Sequence, residues 1–312
     1  MSDRTAAKPL SQNQDTPRGL IFAVLAYATW SFLPIYTKAI DYIPATELVA
    51  HRVIWSLPIA WVTLAVLGLT KDIGLALRSP RILLMACVTA TLISINWGLF
   101  LWAVMVDRAT EAALGYYINP LMNIALAAVV LRERLNPMQI VAVSLAVLAV
   151  TIIAWDEGGL PWLSIALPMS FASYAFLRRT LPIGPAQGFF LEILLLTPPA
   201  LAYLFWLQWQ GVGHFTFDHP KDVWLLIAAG PLTAAPLLLF VFAARMIRYS
   251  TIGMLQYITP TSILLLAVFM FGEPFSMVRG IAFGLIWVGL VVYMVPPSLF
   301  ARMRGHKDGQ TG

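Results

Sequence analysis

Residues 117–133 read YINPLMNIALAAVVLRE, and residues 257–273 read YITPTSILLLAVFMFGE. From Tyr117 to Tyr257 the offset is 140 positions, and at this offset the stretches share Tyr-Ile-x-Pro, a central Leu-Ala and the closing glutamate. Self-similarity at a fixed offset indicates an internal repeat. A chance match of apolar residues would not also place a glutamate at the same distance from the tyrosine in both stretches. The sequence therefore predicts two related halves.

The composition is that of a membrane protein. Of the 312 residues, 60% are hydrophobic and 11% are charged, whereas a soluble domain is about half apolar and about a quarter charged. A soluble chain could not hide this much apolar surface. The low charge excludes a disordered protein, and a single cysteine, Cys87, excludes a disulfide-stapled one. We expect Cys87 to be a small apolar residue of a helix.

Apolar runs long enough to cross a bilayer recur along the chain. A hydrocarbon core about 30 Å thick needs roughly 20 helical residues, and the runs lack the alternation of barrel strands. The predicted fold class is therefore an all-α integral membrane protein with ten transmembrane helices. The predicted spans are residues 19–37, 45–69, 82–106, 112–131, 138–155, 160–177, 187–208, 223–244, 250–271 and 277–297.

The repeat divides these spans into two halves of five, residues 19–155 and 160–297. Because five is odd, the second half must be inverted in the membrane. Inverted repeats are typical of secondary transporters, in which a site near the midplane opens alternately to either side. The flanking segments 1–18 and 298–312 are predicted to be cytoplasmic tails.

The basic residues predict the orientation. With a cytoplasmic N-terminus, fifteen of the 20 lysines and arginines fall in inside segments, four fall outside, and Arg52 lies within a span. By the positive-inside rule, this asymmetry places both termini in the cytoplasm. The pI of about 9.4 is therefore interpreted as a signal of topology, and no nucleic-acid partner is expected.

Charged and polar residues within the spans mark candidate functional positions, because they are costly in lipid. The second span holds Glu47, His51, Arg52, Trp55 and Ser56. Glu47, His51 and Trp55 are spaced four apart and can share one helical face. Arg52 either contacts substrate or a gate, or locks helices together by pairing with a carboxylate or with helix-end carbonyls. His51 either carries a proton or is a neutral core histidine.

Glu192 is the only carboxylate well within a span of the second half. It is a candidate proton acceptor or cation partner, and the alternative is an interfacial glutamate. Pro120 and Pro260 occupy equivalent repeat positions and predict helix kinks beside a shared cavity. The predicted substrate-binding or gating residues are Arg52, His51, Trp55, Asn96, Trp97, Tyr117, Asn119, Asn123, Glu192, Tyr257 and Thr259.

Other polar residues have structural interpretations. Glu133 and Glu273 end the repeated stretches and are expected to cap the next helix or pair with arginines. His214, Asp218 and His219 are expected to be solvated in an outside loop, although a metal site there is conceivable. The sequence contains no P-loop and no HExxH, paired-cysteine or nucleophile-elbow motif. We therefore expect no enzyme activity, no cofactor and no metal.

Several segments carry a family resemblance. They are HRVIWS (51–56), Asn96-Trp97, LGYYINP (114–120), RER (132–134), QYITPT (256–261) and Gly272-Glu273. On these segments, the chain resembles the RarD branch of the EamA drug/metabolite transporter superfamily. The resemblance implies ten helices in two inverted repeats, a central cavity, the bacterial inner membrane and transport of small metabolites.

The expected function is secondary active transport, with export of small metabolites or drugs by alternating access. The expected partners are an anionic or zwitterionic small molecule, the lipid bilayer and a coupled proton. Two alternatives stay open. A non-transporting membrane partner or sensor would be indicated by a large extramembrane domain. An intramembrane lipid-modifying enzyme would need catalytic His, Asp or Cys residues clustered near one interface.

Overall fold

A computed structural model of the chain describes residues 15–130, 132, 135–156, 158–244, 246–247 and 249–294. Every regular element in these ranges is a helix. Glu133 and the predicted tail 298–312 lie outside the described residues. The helices are α1 (Pro17–Ser31), α2 (Leu33–Lys38), α3 (Ala45–Val66), α4 (Lys71–Leu77), α5 (Pro80–Met105), α6 (Ala109–Val130), α7 (Pro137–Asp156), α8 (Trp162–Thr180), α9 (Pro185–Trp209), α10 (Pro220–Ala244), α11 (Tyr249–Leu255), α12 (Ile258–Leu265), a π-helical turn (Leu266–Met270) and α13 (Met277–Met294).

Each of the ten predicted spans contains helix, but two of them are interrupted. The first span is divided between α1 and α2 at Phe32. The ninth is divided between α11 and α12 at Gln256 and Tyr257, and it ends in the π-helical turn. Proline causes part of the second interruption, because the ring of Pro260 excludes the helical bond to the carbonyl four residues earlier, at Gln256.

Seven helical segments within the described residues are long and apolar enough to cross a membrane. The chain is therefore an all-α membrane protein. Helix α8 is outside this group because three serines and two arginines lower its hydropathy. The C-terminal helices Ile258–Met270 and Met277–Tyr293 are apolar but shorter. The seven segments are Pro17–Lys38, Ala45–Val66, Pro80–Met105, Ala109–Val130, Pro137–Asp156, Pro185–Trp209 and Pro220–Phe240.

The first of two compact units comprises Met1–Ala90 and Leu181–Ile263. In it, α3 packs against α9 and α10, and α1 packs against α10. Helices α3 and α10 approach closely at Gly230, where a Cβ atom would overlap the backbone carbonyl of Trp55. The Ser56 hydroxyl donates to the Gly230 carbonyl at 3.4 Å. Small residues at such crossings let membrane helices gain packing contacts.

The second unit comprises Thr91–Thr180 and Leu264–Gly312. Here α6 packs against α8, and α7 packs against α13. Gly289 of α13 lies against the backbone of Ala142, so this helix pair also meets at a small residue. Each unit therefore draws helices from both halves of the sequence, and the chain passes between the units three times.

Candidate functional site

The predicted polar face of α3 is present. Pro44 precedes the helix, and Glu47 lies in its first turn, where the helix dipole favours a negative charge. The Trp55 indole Nε1 donates to His51 Nδ1 at 3.3 Å. Glu47 is 1% exposed and His51 is 3% exposed. A spacing of four residues has thus brought a buried carboxylate, a buried imidazole and a half-buried indole onto one stripe of α3.

Arg52 lies on the neighbouring stripe of α3 and is 6% exposed. The Tyr36 side chain of α2 is within electrostatic range of its guanidinium, and the Tyr36 hydroxyl donates to the Leu225 carbonyl at 2.7 Å. A guanidinium cannot lose its charge in a protein, so burial requires compensating oxygen atoms. The first unit therefore holds a buried cation that requires oxygen partners.

In the loop 210–219, Asp218 and His219 are exposed, as predicted, but His214 is half-buried. The His214 backbone N–H donates to Glu47 Oε1, and its ring Nδ1 lies 2.8 Å from Glu47 Oε2. The next residue, Phe215, stacks on the His51 ring with centroids 5.1 Å apart. A buried carboxylate must find donors, and the loop supplies two of them. A carboxylate within an apolar span, such as Glu47, predicts that a hydrogen-bond donor must lie nearby. The sequence spacing does not identify that donor as His214.

Further contacts join the segment before α3 to α10, and the start of α3 to α9. The Tyr42 hydroxyl donates to Asp222 at 2.5 Å, and this hydrogen bond raises the pKa of Tyr42 to about 12. The Thr46 and Tyr203 hydroxyls are 2.8 Å apart. These two contacts flank the loop 210–219, on α9 before it and on α10 after it.

Glu192 is buried in α9, with 1% exposure. The Thr89 hydroxyl of α5 donates to Glu192 Oε1 at 2.8 Å. The structure thus places this carboxylate inside the first unit, where it is bonded to α5. A buried carboxylate bound by a neutral hydroxyl retains the capacity to exchange a proton.

Tyr257, Thr259 and Pro260 lie at the break in the ninth span. Thr259 donates to the Tyr27 carbonyl at 3.2 Å, and Pro260 is buried in the first turn of α12. The first turn is the helical position that tolerates proline best. Pro120, in contrast, lies inside the continuous helix α6. The two equivalent prolines therefore have different local structures.

In the second unit, two predicted site residues have packing roles. Asn96 is 2% exposed, and its amide donates to the Leu167 carbonyl and to the Ser170 hydroxyl of α8, both at 3.0 Å. The buried Tyr117 ring packs edge-on against Phe283 at 5.8 Å. These contacts tie helices of the second unit together.

The other predicted residues of this unit are more accessible. Trp97 and Asn119 are half-buried, and Asn123 is exposed. The Asn119 Oδ1 atom is buried, and no hydrogen-bond partner for it lies within the described part of the chain. Asn119 is therefore the member of this group with unused capacity to bind a donor.

Glu273 caps a helix other than the one predicted. It accepts hydrogen bonds from the backbone N–H groups of Ala109 and Thr110, at 2.6 and 2.8 Å. These residues begin α6, so Glu273 stabilises the N-terminus of α6 and not that of the following helix α13. The first N–H groups of a helix lack internal partners and attract a carboxylate.

A small apolar cavity lies elsewhere in the first unit, between α3, α9 and α10. Its volume is about 10 Å³, and none of the predicted site residues line it. Its lining offers one hydroxyl and no charge, so it cannot orient a polar molecule. The lining residues are Ala60, Thr63, Ala186, Phe189, Ala234, Leu237 and Leu238.

Comparisons with known proteins identify this chain as similar to membrane transporters. Residues 17–155 match the EamA-like transporter family. The chain is 38% identical to Protein RarD of Escherichia coli K12, over 94% of this chain and 99% of that protein. It is also 38% identical to an "Uncharacterized transporter" of Vibrio cholerae, over 90% and 93% of the two chains.

A solved structure, titled only "Crystal structure of protein", has the same fold. It superposes with a TM-score of 0.57 at 17% sequence identity, and covers 91% of this chain and 98% of its own. At this identity the likeness concerns the fold alone.

Proposed function

Because this chain belongs to the RarD branch of the EamA-like transporter family, and is a multi-pass bacterial membrane transporter of the drug/metabolite type, we propose that it is a secondary active exporter of small metabolites or drugs. It works by alternating access. The observation that carries the proposal is Arg52, a charge that is 6% exposed in a helix apolar enough to span the membrane. Charges at such depth mark substrate or ion pathways.

The proposed architecture is ten transmembrane helices in two inverted halves, residues 19–155 and 160–297, in the inner membrane. The tails 1–18 and 298–312 are cytoplasmic. Two helix pairs support the repeat: α3 packs on α9, and α7 packs on α13. Each pair joins equivalent spans of the two halves, as a two-fold relation between them would require. Helices α6 and α11 also begin 140 positions apart, at Ala109 and Tyr249.

The proposed substrate is an anionic or zwitterionic molecule. The Arg52 guanidinium can hold a carboxylate through two parallel hydrogen bonds, a geometry that an ammonium cannot reproduce. Trp55, which bonds to His51, adds an aromatic surface beside this charge. The recognition element is thus a fixed cation next to flat apolar groups.

The proposed energy source is a proton gradient, and Glu192 is the proposed proton carrier. Its carboxylate is 1% exposed and bound by the Thr89 hydroxyl. Protonation would remove a buried charge, and release of the proton would restore it, so the two forms favour different surroundings. A transporter can couple this difference to a change of state.

The test is gradient-driven uptake of a metabolite panel into proteoliposomes that contain the purified protein. We expect Arg52→Ala to lower uptake of anionic substrates by about tenfold or more, because it removes a charge-assisted contact. Arg52→Lys is the matched control and should retain part of the activity. If Arg52→Ala is monodisperse and transports at the wild-type rate, the proposed role of Arg52 is wrong. If concentrative uptake persists with an uncoupler, another ion or an exchange partner supplies the energy.

A further inference from the structure

His51 carries a hydrogen-bond donor that the described part of the chain does not use. The Trp55 indole N–H can only donate, so His51 Nδ1, 3.3 Å away, must accept. The ring proton of the neutral imidazole then resides on Nε2. His51 Nε2 is buried without a hydrogen-bond partner among the described residues, and the residue is 3% exposed. Buried donors are almost always hydrogen-bonded. We therefore expect this N–H group to bind an acceptor from outside the described part of the chain.

The surroundings of this donor are aromatic. Phe215 stacks on the His51 ring at an interplanar angle of 26°, and its ring centroid lies 6.1 Å from that of Trp55. A molecule that reaches Nε2 would therefore meet flat apolar rings.

Phe215 is held in place from both sides. Before it, His214 is bound by Glu47 through a backbone N–H and a ring nitrogen. At Phe215 itself, the backbone carbonyl accepts a hydrogen bond from the Gln208 amide at 2.5 Å. Because the buried Glu47 carboxylate lies one turn before His51 on α3, the same helix positions both the donor and the ring above it.

We propose that the Nε2–H group of His51 binds an acceptor oxygen of the transported molecule, and that Phe215 forms the outer wall of this site. Glu47 and His214 are positioning residues that hold Phe215 there. The ligand class is a carboxylate or carbonyl attached to a flat apolar body. The proposal rests on the proposed function and assigns His51 to binding. His51 is not the proton carrier, because a second ring proton, on Nδ1, would face the Trp55 indole N–H and break the hydrogen bond between them.

The first measurement is nitrogen NMR of the full chain labelled at its 4 histidines. We expect one imidazole in the Nε2–H form that is absent from His51→Gln and becomes a tautomer mixture in Trp55→Phe. The Nδ1–H form or an imidazolium at His51 would overturn the proposal. This readout requires no transport, so it separates the proposal from the proposed function.

The second measurement titrates the same sample with benzoate, and with benzylamine, which has the same ring but a cation in place of the acceptor. We expect benzoate, and not benzylamine, to shift the His51 Nε2 signal. Phe215→Ala and Glu47→Gln should each weaken benzoate binding about tenfold, on the scale of lost aromatic contacts at a buried site, without changing the tautomer. Phe215→Leu keeps the bulk and serves as the folding control. An equal response to both probes, or none to benzoate, would overturn the proposal.

Discussion

At the scale of single residues, buried carboxylates organise this protein. Glu273 shows the effect most directly, because it accepts two backbone N–H bonds and is 5% exposed. Both donors begin α6, and they lie 163 and 164 residues away in the sequence. One side chain thereby fixes where a distant helix starts.

We predict that Glu273→Ala lowers the free energy of unfolding by roughly 1–3 kcal/mol, because two buried N–H groups lose their acceptor. The measurement is the thermal unfolding midpoint of the purified protein in detergent. Asp41→Asn is the control: Asp41 pairs with Lys38 at 3.4 Å on the surface, and such pairs contribute less than about 1 kcal/mol. Equal midpoints for Glu273→Ala and the control would contradict the capping role.

At the scale of helices, packing in the first unit depends on a close approach. Helices α3 and α10 meet where Gly230 faces the Trp55 backbone. A residue with a Cβ atom at position 230 would force the two helices apart. This separation would also displace the part of α3 that carries His51 and Arg52. The geometry of the candidate site therefore depends on a glycine that lies in a different helix.

We predict that Gly230→Ala destabilises the protein by roughly 1–3 kcal/mol, the usual cost of overpacking. The matched control is Gly284→Ala in α13, where a Cβ atom would meet nothing within 4 Å. Alanine there should be neutral or stabilise the helix by up to about 1 kcal/mol. Thermal midpoints that fall in both variants, or in neither, would contradict this difference.

At the scale of the whole molecule, the basic residues and the helix count together predict the topology. Ten spans and cytoplasmic tails require the connection after the fifth span to face the outside. We predict that alkaline phosphatase fused after Gly158 is active, and that green fluorescent protein fused at the C-terminus is fluorescent. The reciprocal fusions should be inactive and dark, and an active phosphatase at the C-terminus would exclude the proposed ten-span topology.

Whether a feature of the fold or the site could be predicted depends on how far apart in the sequence the interacting residues lie. The all-helical class and the places of the apolar helices follow from hydropathy, which each segment carries by itself. The stripe of Glu47, His51 and Trp55 follows from the helical period. Pro260 likewise predicts a kink in the ninth span. The cap of α6 did not follow from the sequence, because it depends on Glu273, which is distant in the chain.

The amino-acid sequence by itself determined that this is a helical membrane protein with a buried polar face on its second span. Only the tertiary structure decided which groups meet there: Glu47 with His214, Phe215 with His51, and Thr89 with Glu192. The physical reason is that a buried polar group must be satisfied, but many residues could satisfy it. Packing of the helices selects the one that does.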